Sequence, residues 1–110
     1  PYQDWQLRTQ DLYFRIKLVE TDQLIKGKEY YQIDDLMVLV SPQGKRFTYY
    51  GGIISDLEEA RKVRRSFQAK GFWDARIEAF IGSSILSDGQ INSTLIEAYP
   101  QLKEYIIYQE

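Results

Sequence analysis

Residues 47–80 constrain the fold more than any other part of the sequence, because two strand-like segments there flank a helix with clear start and stop signals. Ser55 and Glu58 have the spacing of a capping box, in which the serine hydroxyl accepts a hydrogen bond from the Glu58 amide. Gly71 supplies a helix stop, since glycine tolerates the left-handed backbone that ends many helices. A helix is therefore predicted over residues 56–70. Its buried stripe is predicted to contain Leu57, Ala60, Val63 or Arg64, and Phe67.

Alternation of apolar and polar residues predicts the strands. In residues 12–19, every second side chain is apolar, which is typical of a strand with one face on the core. Residues 37–40 and 45–54 are predicted to form a hairpin across a Ser-Pro-Gln-Gly turn, and residues 75–81 to form a last strand. A short helix is predicted over residues 29–36, and the Ser-rich residues 82–89 are predicted to form a loop.

The order strand, helix, strand, strand, helix, strand predicts an α+β fold of the split βαβ type. Its four-stranded antiparallel sheet would carry two helices on one face. Residues 1–11 are predicted to be a linker or tail, residues 12–82 the domain, and residues 83–110 a C-terminal extension packed on it. In the extension, Asn92 or Ser93 could cap a short helix through Tyr99, while residues 102–108 are compatible with a helix end or an added strand.

The composition argues against several classes of function. The 110 residues include no Cys and no His, which removes thiolate ligands, a cysteine nucleophile and the commonest general base. A net charge of −2 gives no general attraction to nucleic acid, and no apolar run approaches the ~20 residues that span a bilayer. The adjacent Asp34 and Asp35 are interpreted as capping or solvated residues. We therefore expect a non-enzymatic module without metal or cofactor and without membrane insertion.

The predicted sheet leaves one face without helices, and the alternation indicates which residues lie on it. If Phe14, Ile16, Ile77 and Ala79 point toward the helices, the other face combines aromatic rings with charged and hydrogen-bonding groups. Such a mixture favours a flat or hydroxylated ligand, although an ordinary solvated face is the alternative. The residues predicted on this face are Tyr13, Arg15, Lys17, Thr48, Tyr50, Arg76 and Glu78, with Phe80 as a further candidate.

Residues 48–80 resemble the second half of a SPOR (sporulation-related repeat) domain of the divergent Bacteroidetes type. In that pattern a Tyr-rich strand ending in Gly is followed by a Glu-Glu-Ala helix start, a basic helix ending in Lys-Gly-Phe/Tyr, and an Asp-Ala strand start. The first strand, with Phe14-Arg15-Ile16-Lys17, is similar to the first strand of the family. The matching residues are Tyr49, Gly52, Glu58, Glu59, Ala60, Ala69, Lys70, Gly71, Phe72, Asp74 and Ala75.

The resemblance implies a non-catalytic module that binds peptidoglycan glycan strands across the exposed sheet face. It implies a periplasmic location within a larger, envelope-anchored protein. By resemblance, Arg15, Lys17, Tyr50 and Arg76 are the contact candidates, and Thr48 and Glu78 complete the predicted ligand-binding set because they lie on the same face.

Two other functions remain open from the sequence. The same fold could bind another envelope protein, with the aromatic residues 99–108 as a contact segment. RNA binding on a sheet of the same strand order is disfavoured, because the chain is acidic and lacks the aromatic-glycine motif of RNA-recognition sheets. Recovery of a stable protein partner, without binding to glycans, would favour protein binding over peptidoglycan binding.

Overall fold

The fold is built on one antiparallel sheet. A computed structural model describes residues 11–25, 27, 30 and 32–107. The predicted linker therefore lies outside the described residues, except for Asp11. The strands are β1 (Leu12–Thr21), β2 (Met37–Val40), β3 (Phe47–Ile54), β4 (Arg76–Ile81) and β5 (Ser84–Ile85). The helices are α1 (Leu57–Ala69), α2 (Ser93–Ala98) and α3 (Gln101–Ile107), with a 3₁₀ turn at Asp88–Gln90.

The strand order confirms an α+β fold but corrects the predicted number of strands. The order across the described sheet is β2-β3-β1-β4-β5, and every pairing is antiparallel. Four strands were expected, and β5 is the fifth. It pairs with Phe80 and Ile81 after a turn that contains Gly82 at φ +61°. Two residues cannot show an alternating pattern, which is why the sequence indicated only a Ser-rich loop there.

The main core lies between the helices and one face of the sheet. Phe14, Ile16 and Leu18 of the central strand β1 are buried in it, as the alternation predicts. The same helices cover Ile77 and Ala79 of β4 and also Ala75, the residue before this strand. Tyr49 also enters this core, and its hydroxyl accepts a hydrogen bond from the Ile25 amide at 2.7 Å.

Helix α1 begins one residue later than the predicted capping box requires. The N-cap residue is Asp56, whose carboxylate accepts a hydrogen bond from the Glu59 amide at 3.0 Å. The predicted pair of Ser55 and Glu58 is therefore wrong. Because the helix starts at Leu57, Glu59 occupies the third helical position, whose amide an N-cap side chain reaches. Leu57, Ala60 and Phe67 form its buried stripe, as predicted.

The other end of α1 confirms the predicted glycine stop. The Phe72 amide donates to the Phe67 carbonyl and the Gly71 amide donates to the Gln68 carbonyl, each at 3.1 Å, with Gly71 at φ +109°. This is the Schellman arrangement, in which a left-handed residue lets the chain satisfy the last helical carbonyls. The Phe67 and Phe72 rings meet edge to face at 5.8 Å, so the turn after the helix is tied to the core.

The segment that was predicted as the short helix 29–36 lies partly outside the described residues. Residues 32–35 form turns, and Asp35 has a positive φ of 54°. This turn packs against the end of β3, where the Gly52 amide donates to the Asp34 carbonyl at 3.0 Å. A Cβ on Gly51 would lie 2.8 Å from Ile33 and 2.9 Å from Phe67, so only glycine allows this close packing.

The C-terminal residues form helices that complete the main core. Asn92 is the N-cap of α2 and accepts from the Leu95 amide at 3.0 Å, which is one of the two caps that the sequence allowed. Residues 101–107 are helical, and Leu102 and Tyr105 are buried in the main core. Gln101 connects this helix to α1, because its side chain accepts from the Leu57 amide at 2.6 Å and donates to the Ser55 carbonyl at 3.0 Å.

Candidate functional site

The six predicted ligand-binding residues share the sheet face opposite the helices, which we call the second face. Arg15 is the cross-strand partner of Glu78, and Lys17 is the partner of both Arg76 and Tyr50. Partners in an antiparallel pair lie on the same side of the sheet. Thr48 joins this surface because it precedes Tyr50 by two residues on β3. The backbone therefore brings all six residues onto three adjacent strands.

One end of the second face is buried, which corrects the expectation that this whole face is open. Tyr13, Tyr50, Ile53 and Phe80 form a second hydrophobic cluster, with Met37 and Leu39 of β2 packed against it. The Tyr13 and Phe80 rings stack at 5.5 Å, and Tyr50 meets Phe80 edge to face at 5.5 Å. We call the set Tyr13, Arg15, Ile53 and Phe80 the buried end.

Arg15 is the charged member of the buried end and is only 3% exposed. Its guanidinium carbon lies 5.4 Å from the centre of the Tyr13 ring and 5.7 Å from that of Phe80. One terminal nitrogen donates to the Asp35 carbonyl at 3.2 Å and lies 3.5 Å from the Gly52 carbonyl. A buried arginine that contacts aromatic rings and backbone carbonyls joins the sheet to the turn at residues 32–35. These contacts describe a structural role for Arg15, and its predicted role in ligand binding stays a prediction.

Tyr50 and Glu78 lie between the buried end and solvent. The Tyr50 hydroxyl donates to the Glu78 carboxylate at 2.9 Å, while Glu78 itself is half-buried. Burial is the main cause that raises the pKa of the Tyr50 phenol well above its ordinary value, and the neighbouring charge of Glu78 adds to it. Tyr50 is therefore protonated at neutral pH and donates a hydrogen bond to a carboxylate whose other oxygen can accept from a ligand.

The opposite end of the second face is exposed and charged. We call the set Lys17, Glu20, Thr48 and Arg76 the exposed end. The Lys17 ammonium lies 3.5 Å from the Glu20 carboxylate, and Arg46 donates to the same carboxylate at 2.8 Å. The hydrogen bond from Arg46, followed by the charge of Lys17, lowers the pKa of Glu20. Arg76 is exposed beside Lys17, so cationic donors outnumber carboxylates at this end.

This arrangement provides hydrogen-bond donors and acceptors on one face of the sheet. Lysine and arginine supply donors, Thr48 supplies a hydroxyl, and Glu78 supplies an acceptor. In the described part of the chain, no group of three or more acidic residues is placed to hold a metal ion. These groups can form hydrogen bonds with a polar ligand.

A groove along β4 was not identified from the sequence. It has a volume of about 550 Å³ and includes Arg76 and Glu78 of the predicted set. Trp73, which stands at its border, is 79% exposed. In the sequence Trp73 appeared only as part of the lead into the last strand, and a single exposed tryptophan in a turn gives no periodic signal. The remaining residues that line the groove are Arg64, Asp74, Ala75, Ile77, Ile85, Leu86, Ser87 and Tyr105.

A larger cleft of about 640 Å³ lies on the other side of the sheet. It runs between the turn at residues 32–35, the end of β3 and the Val63, Ser66 and Lys70 side of α1. None of the six predicted residues lines it. It therefore belongs to the packing of α1 against the turn rather than to the predicted site.

The described helices are all too short or too polar to cross a bilayer. In comparisons with known proteins, no family model, no curated protein and no solved structure matches this chain. A function can therefore be proposed only from the geometry of the second face and from the sequence resemblance.

Proposed function

We propose that the chain is a non-catalytic module that binds peptidoglycan glycan strands on the exposed end of the second face. The observation that carries this proposal is that Thr48, Lys17 and Arg76 lie on the same face of three adjacent strands. Arg76 is directly opposite Lys17, Thr48 is opposite Glu20, and Glu78 lies two residues along β4 from Arg76. Neighbouring strands lie about 4.8 Å apart, so these side chains cover roughly 10 Å across the sheet. An extended, hydroxyl-rich chain laid across the strands would meet a donor or an acceptor on each of them.

The scaffold that we propose is the split βαβ plan of a SPOR-type domain, enlarged by β5. The order β2-β3-β1-β4 and the passage of the chain through α1 from β3 to β4 support it. We further propose that the module acts in the periplasm as part of an envelope-anchored protein. Glycan strands are found there, and the SPOR-like motifs imply the same compartment.

The buried end changes which residues we propose as contacts. Lys17, Thr48, Arg76 and Glu78 reach the surface and are proposed to contact the ligand directly. Arg15 and Tyr50 are proposed to act from below, because Tyr50 orients the Glu78 carboxylate and Arg15 holds the neighbouring turn. Substitution of the surface residues is therefore the cleaner test of binding.

Sedimentation with purified sacculi, before and after removal of the stem peptides, tests the proposal. We expect the wild-type chain to sediment with glycans stripped of peptides, and Lys17→Ala/Arg76→Ala to lose most of this retention. The matched control is Lys62→Ala/Arg65→Ala, which removes the same charge from exposed positions on α1. Absence of wild-type retention, or equal losses in the two double variants, would contradict a glycan site on the second face.

Protein binding is a second candidate, favoured by apolar side chains exposed away from the charged end. Val40 on the edge strand β2 and Ile107 at the end of α3 are both more than half exposed. An unpaired strand edge can pair with a strand of another chain. A protein that copurifies stably with the wild-type chain, without retention on sacculi, would favour this function over the first.

A further inference from the structure

Trp73 is an exposed aromatic ring on a rigid turn. Fully exposed tryptophans are uncommon, because the indole is a large apolar surface. Immediately before Trp73, the Phe72 amide is bound by the Phe67 carbonyl, and two residues after it the Ala75 amide donates to the Phe72 carbonyl at 3.1 Å. The Phe72 ring also packs edge to face against Tyr30 at 5.6 Å. The backbone is therefore fixed on both sides of Trp73, and its side chain is 79% exposed.

The groove beside Trp73 follows an edge of β4 that is closed at both ends. At one end β5 covers the strand, and the Leu86 amide donates to the Ala79 carbonyl at 2.8 Å. At the other end Arg64 donates to the Ala75 carbonyl at 2.7 Å. Since alternate residues direct their backbone groups to opposite sides, Ile77 faces the groove as Ala79 does. A strand added here would find one open position, which is too short an edge for an extended peptide.

The lining of the groove has the chemistry of a sugar-binding site. Asp74, Arg76, Glu78 and Ser87 line the same groove as Trp73 and provide donors and acceptors. An N-acetylated pyranose ring has hydroxyl and amide groups at its edge and a face of C–H groups, which suits a groove that combines an exposed aromatic ring with polar groups. Arg76 and Glu78 also belong to the second face, so a ligand can pass from the sheet into the groove without a break.

We infer that Trp73 and the β4 groove form a further subsite, in which one sugar of the glycan strand stacks on the indole. This inference rests on the proposed glycan-binding function and adds a contact to it. The exposed end of the second face holds the strand across the sheet, and Trp73 fixes the position of the sugar that passes over the β4 edge. The subsite predicts that the module discriminates ring stereochemistry and does not simply bind polymer by charge.

Intrinsic fluorescence tests the subsite, because the chain has only two tryptophans. In a Trp5→Phe background Trp73 is the single indole, and its emission should shift when a β-1,4-linked N-acetylglucosamine tetramer is added. In sedimentation with denuded glycans, Trp73→Ala should weaken binding roughly tenfold, as expected for loss of an aromatic anchor. Trp73→Phe keeps a ring and should recover most of the affinity. Leu24→Ala is the control, since it shortens another exposed apolar side chain, away from the groove.

The outcomes separate this inference from the proposed function. If the wild-type chain binds denuded glycans and Trp73→Ala binds equally well, the subsite is wrong and the site on the sheet stands. If the wild-type chain is not retained at all, the proposed function fails first. A Trp73 emission change with free stem peptide, but none with the tetramer, would assign the groove to a peptide and overturn the inference.

Discussion

Arg15 and Lys17 are two cations on the same strand and the same face, yet their surroundings are opposite. Arg15 is 3% exposed and contacts two aromatic rings and a backbone carbonyl. The Lys17 side chain is 32% exposed, and its ammonium group lies 3.5 Å from the exposed Glu20 carboxylate. The first position joins the sheet to a turn, and the second offers a charge to solvent.

The alternation of apolar and polar residues therefore assigns a side chain to one face of the sheet but does not determine how deeply it is buried. Depth depends on what the neighbouring strands and turns place around each position. At Arg15 the stacked Tyr13 and Phe80 rings and the turn at residues 32–35 close over the strand. At Lys17 the neighbours Arg76 and Glu20 are exposed, and the buried Tyr50 is its partner on the other side. Substitutions at the two ends of the second face should therefore differ in their effects, and the largest is expected at the buried end.

The largest effect is expected for Arg15→Ala. The change leaves a cavity beside Tyr13 and Phe80 and removes the donor to the Asp35 carbonyl. We expect the free energy of unfolding to fall by about 2–4 kcal/mol, from cavity and hydrogen-bond losses together. Lys17→Ala should cost less than about 1 kcal/mol, as is usual for a surface ion pair. Urea unfolding of both variants measures the difference.

Arg15→Met separates the packing of Arg15 from its charge. Methionine fills most of the same space, and the buried arginine Nε atom has no hydrogen-bond partner among the residues that the structure describes. Replacement of a buried charge by an apolar side chain is often tolerated, so a loss below about 1.5 kcal/mol is expected. Equal losses for Arg15→Ala and Lys17→Ala would show that the two positions do not differ as described.

An intermediate effect is expected for Tyr50→Phe at the boundary between the two ends. The half-buried Glu78 carboxylate loses a donor, which should lower the free energy of unfolding by about 1–2 kcal/mol at neutral pH. Because the pKa of Tyr50 is raised in the folded state, its contribution is complete below pH 10.0 and is lost as the pH rises above that value. The difference in unfolding free energy between the wild-type chain and Tyr50→Phe should therefore become smaller in urea titrations at alkaline pH. A difference that grows with pH would contradict a raised pKa of Tyr50 in the folded state.

The smallest effect is expected at Glu20 on the exposed end. Its pKa is lowered mainly by the hydrogen bond from Arg46, so its contribution to stability is present above its ordinary pKa of 4.5 and is lost as the pH falls further. In an NMR titration, Arg46→Ala should return the pKa of Glu20 toward that ordinary value. Arg76→Ala serves as the control and should leave it nearly unchanged. Added salt should reduce the shift in the wild-type chain, since these charges are exposed.

Much of the fold could be predicted because strong local patterns coincide with the tertiary structure. Phe14, Ile16 and Leu18 alternate because β1 has one face in the main core, and Gly71 ends α1 because a left-handed residue is needed there. Features that depend on distant partners were missed. Ser55 and Asp56 are both good N-cap residues, so the local sequence does not decide between them. The Ser55 carbonyl accepts a hydrogen bond from the Gln101 side chain, 46 residues later, and this distant contact cannot be read from the local sequence.

The placement of the six residues on one sheet face was predictable, but the burial of each residue was not. All six predicted residues do share one face, because the cross-strand register follows from the alternation. Burial of Arg15 and Tyr50 was not predictable, since it arises from aromatic contacts between strands and from a turn without regular structure. The exposure of Trp73 was not predictable either, because a sequence records the residue but not its surroundings.

The two hydrogen bonds between the Gln101 side chain and the start of α1 affect when this part of the fold can form during synthesis. The start of α1 depends on a side chain that leaves the ribosome more than 40 residues after Leu57, because 44 positions separate it from Gln101. In the described sheet the central strand β1 pairs with β3 and β4, so its partners also lie far along the chain. A nascent chain that stops before residue 101 contains all the described strands but lacks Gln101 and the helix that it begins. The contact between α1 and α3 can therefore form only after these residues have been synthesised.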